Sequence, residues 1–146
     1  MRDRLITLVG GGGFLGRYIA QELLATGARI RIAQRDPRQA FFLKPLGGLG
    51  QTQFVAADIR KPDSLARAFE GADSVVNLVG VRRGDYHGLH VVGAANAARA
   101  AAAAGVGSFV HVSSAGADSE APSEYSRSKA AGEDADNCRS LLEITK

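Results

Sequence analysis

Apolar, β-branched runs alternate along this chain with stretches of helical periodicity. Leu5–Val9 predicts a strand, and Phe14–Ala25 predicts a helix with Leu15, Ile19, Leu23 and Leu24 on one face. Gly27 stops that helix, and residues 29–33 alternate like a second strand. Asp36 followed by Pro37 predicts an N-cap with proline at the first helical position. Residues 47–50 form a loop, 53–57 a third strand, and 61–70 a short helix with Leu65, Ala66 and Phe69 turned inward. Residues 74–79 are almost fully apolar, as expected of a parallel strand covered on both faces. A long helix over 87–104, a fifth strand over Ser108–Val112 and a helix near 123–139 complete the pattern. The alanine run at 100–104 is helix rather than low complexity, because alanine is the best helix former and Gly105 supplies a C-cap.

Such a βαβαβαβαβ succession predicts an α/β fold: a Rossmann-like, doubly wound parallel sheet in three αβα layers, with a crevice at the carboxyl ends of the strands. The first strand runs straight into glycines. Gly10, Gly13 and Gly16 are spaced three apart, and Gly11, Gly13 and Gly16 also satisfy G-x-G-x-x-G. A strand–glycine–helix turn lets backbone N–H groups approach a pyrophosphate at a helix N-terminus. Gly10 would permit the tight turn, Gly13 the approach of backbone to phosphate, and Gly16 close packing of helix on strand. The motif predicts a dinucleotide site.

Composition narrows the choice. With 146 residues, 45% of them hydrophobic and 23% charged, the chain has the size and balance of one globular domain. Its net charge of +3 comes from scattered rather than clustered cations, which argues against a nucleic-acid partner. A single cysteine, Cys138, excludes an internal disulfide and a cysteine metal cluster and suits a reducing compartment. His87, His90 and His111 have no metal-ligand spacing and read as structural or surface residues, so no metal is expected. The apolar run after Arg2 and Arg4 is too short for a signal-peptide core or a membrane span.

Three separated motifs carry a family resemblance: Gly10-x-x-Gly13-x-x-Gly16, the strand-end pair Asp58-Ile59, and Tyr125-Ser-Arg-Ser-Lys129 after a strand ending His111-Val112-Ser113-Ser114. Over residues 5 to 135 the chain resembles the extended or atypical short-chain dehydrogenase/reductase superfamily, the NAD-dependent epimerase/dehydratase-like kind. It is similar within it to bacterial relatives of the NADPH-binding accessory subunit of respiratory complex I. The resemblance implies that Gly10, Gly13, Phe14, Leu15 and Gly16 line the pyrophosphate. Asp58 would face the adenine amino group, Ile59 would pack on the adenine ring, and Leu78, Val79 and Gly80 would pass under the adenosine and nicotinamide ribose. It also implies catalysis by Ser114, Tyr125 and Lys129, with Ser113 as the second choice of serine. The tyrosine hydroxyl would act as general acid or base, and the serine would polarise the substrate oxygen. The lysine, one helical turn on, would favour the ionised phenol and hold the nicotinamide ribose.

Cofactor choice turns on the end of the second strand. There a carboxylate would bind the ribose diol of NAD, whereas Gln34 and Arg35 stand in this chain. A guanidinium matches phosphate geometry, so NADP(H) is expected in preference to NAD(H). Against the family pattern, the usual C-terminal substrate part is lacking, and residues 136–146 read as a divergent or truncated tail after a domain over 1–135. An uncovered sheet edge would invite pairing with another chain. Expected partners are therefore the dinucleotide, a small-molecule substrate of unknown identity, and either a second copy or a peripheral membrane complex. The expected location is cytoplasmic, or peripheral to the inner membrane through that partner. Two functions stay open: an oxidoreductase or epimerase-type enzyme, and a non-catalytic NADPH-binding accessory or assembly subunit.

Overall fold

The computed structural model describes residues 2–136 and 142–145. Strands β1 (Leu5–Val9), β2 (Arg29–Gln34), β3 (Thr52–Ala56), β4 (Ser74–Asn77), β5 (Ser108–Val112) and β6 (Leu142–Thr145) form one sheet in the order β3-β2-β1-β4-β5-β6. All pairings are parallel, with Val9 opposite Ala33 on one side and Asn77 on the other. Central β1 is buried along its whole length, which is why its sequence is uniformly non-charged.

Alternate residues of the sheet feed two cores. Ile6, Leu8, Ile30 and Ile32 pack against Ala20 and Leu24 of helix α1 (Phe14–Ala25) and against Ala40 and Leu43 of a 3-10 segment, Pro37–Leu46. Val9, Ala33, Val75 and Phe109 face Leu65, Ala68 and Phe69 of α2 (Pro62–Phe69) and Ala97 and Ala101 of α3 (Gly93–Ala103). The cap expected at Asp36 is present, its carboxylate accepting the Arg38 N–H at 3.1 Å ahead of Pro37.

Several boundaries differ from the sequence reading. Leu15 is 45% exposed, because the first turn of α1 overhangs the sheet end, and the helix instead buries Gly16, Ala20 and Leu24. Ala66 is exposed, and α2 turns Ser64, Leu65, Ala68 and Phe69 inward. β4 stops at Asn77, whose buried side chain accepts the Val79 N–H at 3.1 Å and so takes the place of ladder bonds. The helix expected over 87–104 is interrupted: residues His87–Val92 form a π-helical turn before α3 begins. Helix α4 spans Glu124–Asp136, and the expected continuation over 137–139 lies outside the described residues, as does Cys138. Within the stretch read as a divergent or truncated tail, Leu142–Thr145 pairs in parallel with β5.

Candidate functional site

The strand order reverses between β1 and β4, and a cavity of about 670 Å³ opens there at the carboxyl ends of the strands. Its first wall is the turn after β1. Gly10 has φ +77°, a left-handed conformation that favours glycine, and its N–H bonds the Ala33 carbonyl at 2.8 Å. A methyl on Gly16 would overlap the Gly11 carbonyl oxygen, so α1 crosses the turn in backbone contact. A methyl on Gly13 would meet only the Gly10 carbonyl oxygen, at 3.3 Å, and Gly13 lines the cavity. Gly13 is also the N-cap of α1, with no capping side chain and no acid in the first turn. Its unpaired helical N–H groups therefore favour an anion at this wall. The space and the donors fit a pyrophosphate.

Gln34 completes this wall in a way that its sequence position does not reveal. Its Oε1 accepts the Gly12 N–H at 2.9 Å while its Nε2 donates to the Asp36 carbonyl at 3.0 Å. Exposed Arg35 lines the cavity beside it. Arg38 is committed to Asp36, and that pairing holds the Asp36 carboxyl below the usual carboxylate range.

The remaining expected binding residues Phe14, Leu15, Asp58, Ile59, Leu78, Val79 and Gly80 also line the cavity. Asp58 stands in a turn, accepting the Arg60 backbone N–H at 3.0 Å and, from its guanidinium, the Nε–H and an Nη2–H. Those bonds lower its pKa, against a smaller opposing effect of burial. Arg60 reaches on to Asp85 at 3.7 Å and so bridges the loops after β3 and β4. Phe14 is 80% exposed and meets Tyr18 edge to face at the cavity mouth.

Of the expected catalytic set, one residue lines the cavity. Tyr125, at the start of α4, lines the cavity; Ser114 and Lys129 are not among its lining residues. Lys129 is 3% exposed and its Nζ donates to the Val112 carbonyl at 2.9 Å. A methyl on Gly80 would nonetheless lie 4.0 Å from that Nζ, so the ammonium sits directly behind the cavity floor. Ser113 donates its hydroxyl proton to Glu133 of α4.

Sequence reasoning missed the groups behind this second wall. His90 is 1% exposed and lies between Tyr86, stacked at 5.5 Å, and Tyr125, edge to face at 5.5 Å. Burial, with the nearby charge of Lys129 and then His111, lowers its pKa to about 4. Gly132 of α4 has no room for a methyl, which would overlap the His90 carbonyl oxygen. A glycine inside a helical sequence was the one available signal of that close approach.

Comparison with known proteins agrees with this geometry. A family model described as NAD(P)H-binding matches residues 10–137. The chain is 36% identical over 132 residues to the mitochondrial NADH dehydrogenase [ubiquinone] 1 alpha subcomplex subunit 9 of Mus musculus, covering 87% of this chain and 35% of that subunit. It is 34% identical over 136 residues to a ceramide reductase of Caulobacter vibrioides, covering 90% of this chain and 41% of the reductase. It thus spans about a third to two fifths of the length of these relatives. A solved structure of a Bacillus halodurans protein described as an NAD-dependent epimerase/dehydratase superposes with a TM-score of 0.83 at 26% identity, over 97% of this chain and 68% of that one. The chain belongs to the NAD(P)H-binding family, as an NAD(P)-binding domain with the fold of the epimerase-type short-chain dehydrogenases/reductases.

Proposed function

We propose that this domain binds NADP(H) in preference to NAD(H) and forms the nucleotide half of an oxidoreductase or epimerase-type enzyme. The observation that carries the reading is Tyr125 lining the same cavity as the glycine turn, with Lys129 one helical turn further along α4. When bound, the nicotinamide supplies hydride transfer. The glycine turn and the α1 N-terminus would hold the pyrophosphate, and Ile59 would pack on the adenine. Asp58, its carboxylate already bonded by Arg60, would keep a remaining lone pair towards the adenine amino group. Tyr125 would give or take the proton at the substrate oxygen, which Ser114 would polarise. Arg35 supports the phosphate preference, because Gln34 in place of an acid is neutral and already bonded to the glycine turn.

A second reading has its own observation. Lys129 is buried and bonded to the backbone of β5, and the chain is similar to a subunit of a mitochondrial NADH dehydrogenase. A bound dinucleotide would then stabilise a non-catalytic subunit by mass action. In that role the domain associates with a second copy or with a membrane-peripheral complex from the cytoplasmic side. No helix among the described residues is long and apolar enough to cross a membrane.

Calorimetric titration with NADPH and NADH, with the mass of the species recorded in the same sample, tests both readings. The expected result is tighter binding of NADPH, with Arg35→Ala weakening NADPH about tenfold or more and leaving NADH nearly unchanged. Unchanged NADPH affinity in that variant removes the preference. Turnover lost in Tyr125→Phe with binding retained favours the enzyme, and binding without turnover on a panel of carbonyl substrates favours the subunit.

A further inference from the structure

His90 makes one bond at each ring nitrogen. Its Nε2 accepts the Val81 N–H at 2.9 Å, and its Nδ1 lies 2.8 Å from the Ser128 hydroxyl oxygen. Ser128 has a single hydroxyl proton, and at 2.7 Å it donates that proton to the Tyr125 carbonyl. The Ser128 oxygen can then only accept from His90, which places the imidazole proton on Nδ1. The Val81 N–H independently requires a lone pair on Nε2. Both ends demand the same neutral tautomer.

The chain of donors therefore runs Val81 N–H to His90, His90 to Ser128, and Ser128 to the Tyr125 carbonyl, crossing from the loop after β4 to the first turn of α4. Val81 and Tyr125 both line the cavity. Tyr86, whose hydroxyl donates to the Arg82 carbonyl, closes the other face of the ring. The π-helical turn that carries His90 widens the helix at this point, a distortion often tied to functional sites. We infer that His90 is a positioning residue: a neutral, tautomer-locked latch that holds the Gly80-Val81 floor of the cavity at a fixed distance from Tyr125 before any ligand arrives. Protonation would set an N–H against the Val81 N–H and open the latch. The groups around the ring are Tyr86, Tyr125, Ser128, Lys129 and His111, and the cations among them oppose that protonation.

The effect on binding rests on the dinucleotide reading above, while the tautomer is tested without ligand. Long-range proton–nitrogen spectra of the histidine-labelled full chain should show one of three rings protonated at Nδ1, neutral down to about pH 4, and absent in His90→Gln. An Nε2–H ring at this position, or one charged near neutral pH, overturns the latch. His90→Gln sets an amide oxygen near the Nε2 site and keeps the Val81 bond; His90→Asn sets an amide nitrogen near Nδ1 and loses it. The Asn variant should bind NADPH about tenfold more weakly, with faster exchange of the Val81 amide hydrogen, while the Gln variant stays within about twofold of wild type. Equal behaviour of the two variants overturns the positioning role. If the wild type binds neither dinucleotide, the function reading fails, and the ring spectra with Val81 exchange still decide the latch.

Discussion

The two walls of the cavity are made by opposite means. The wall after β1 is built mainly on backbone: Gly10, Gly13 and Gly16 keep side chains out so that main-chain groups reach the surface, with Gln34 bonded to the Gly12 N–H. The wall between β4 and α4 is cross-linked by side chains, with His90 and Ser128 joined across 38 residues of sequence. The first wall is set by sterics and tolerates no added atoms at its crossing points. The second is held by donor and acceptor pairing, with one steric crossing of its own at Gly132. A ligand between them meets one surface shaped by omission and another shaped by bonding.

The largest break in that contrast is Gly16→Val. Its Cβ would overlap the Gly11 carbonyl, so α1 must lift from the turn at a cost of about 3 kcal/mol or more, read as a lower denaturation midpoint. Gly132→Ala comes next, at about 2–3 kcal/mol, because the second wall hides one steric crossing of its own at the His90 carbonyl. Gly13→Val sharpens the comparison instead. Its side chain projects into open cavity, so stability should change by about 1 kcal/mol or less while dinucleotide binding is lost in the same calorimetric titration.

Acidification isolates the bonded wall. The unfolded His90 ring takes a proton near its ordinary value of 6.5, whereas the folded ring resists it until about pH 4. Between these values the unfolded state binds more protons, so stability should fall as pH drops from about 6.5 towards 4, then lose this component of the slope below 4. The same titration on His90→Gln should lack that component. The smallest effect is expected at the solvent-facing Asp36–Arg38 pair, where Arg38→Ala should leave the denaturation midpoint almost unchanged.

The difference between the walls also explains what could be read without a structure. A wall made by omission announces itself, since glycines at fixed spacing after an apolar strand have few other uses. The Asp36-Pro37 cap is equally local, and the Asp58 turn is a short-range bond to Arg60. The bonded wall is not local. Nothing in the spacing of His90 and Ser128 marks them as partners, and the alanine-rich stretch after residue 92 has no apolar period in which a single π-helical insertion would show. Leu15 and Ala66 misled for a related reason: periodicity names a helix face but not where the sheet beneath it ends. Tyr125 and Lys129 were legible as a pair, yet the bond from the buried Lys129 ammonium to the Val112 carbonyl is a tertiary contact that their spacing does not contain.

The buried alanines of α3 bear on how this chain orders itself. Ala94, Ala95, Ala97 and Ala101 have no side-chain rotamers to freeze, so apart from Asn96 the buried face of this helix costs little beyond backbone entropy to seat. Ala97 and Ala101 share one core with Val75 of β4 and Phe109 of β5. Among the helices, α3 is thus the one expected to hold its amide protons longest, a rigid beam from which the more elaborate wall beside it is hung.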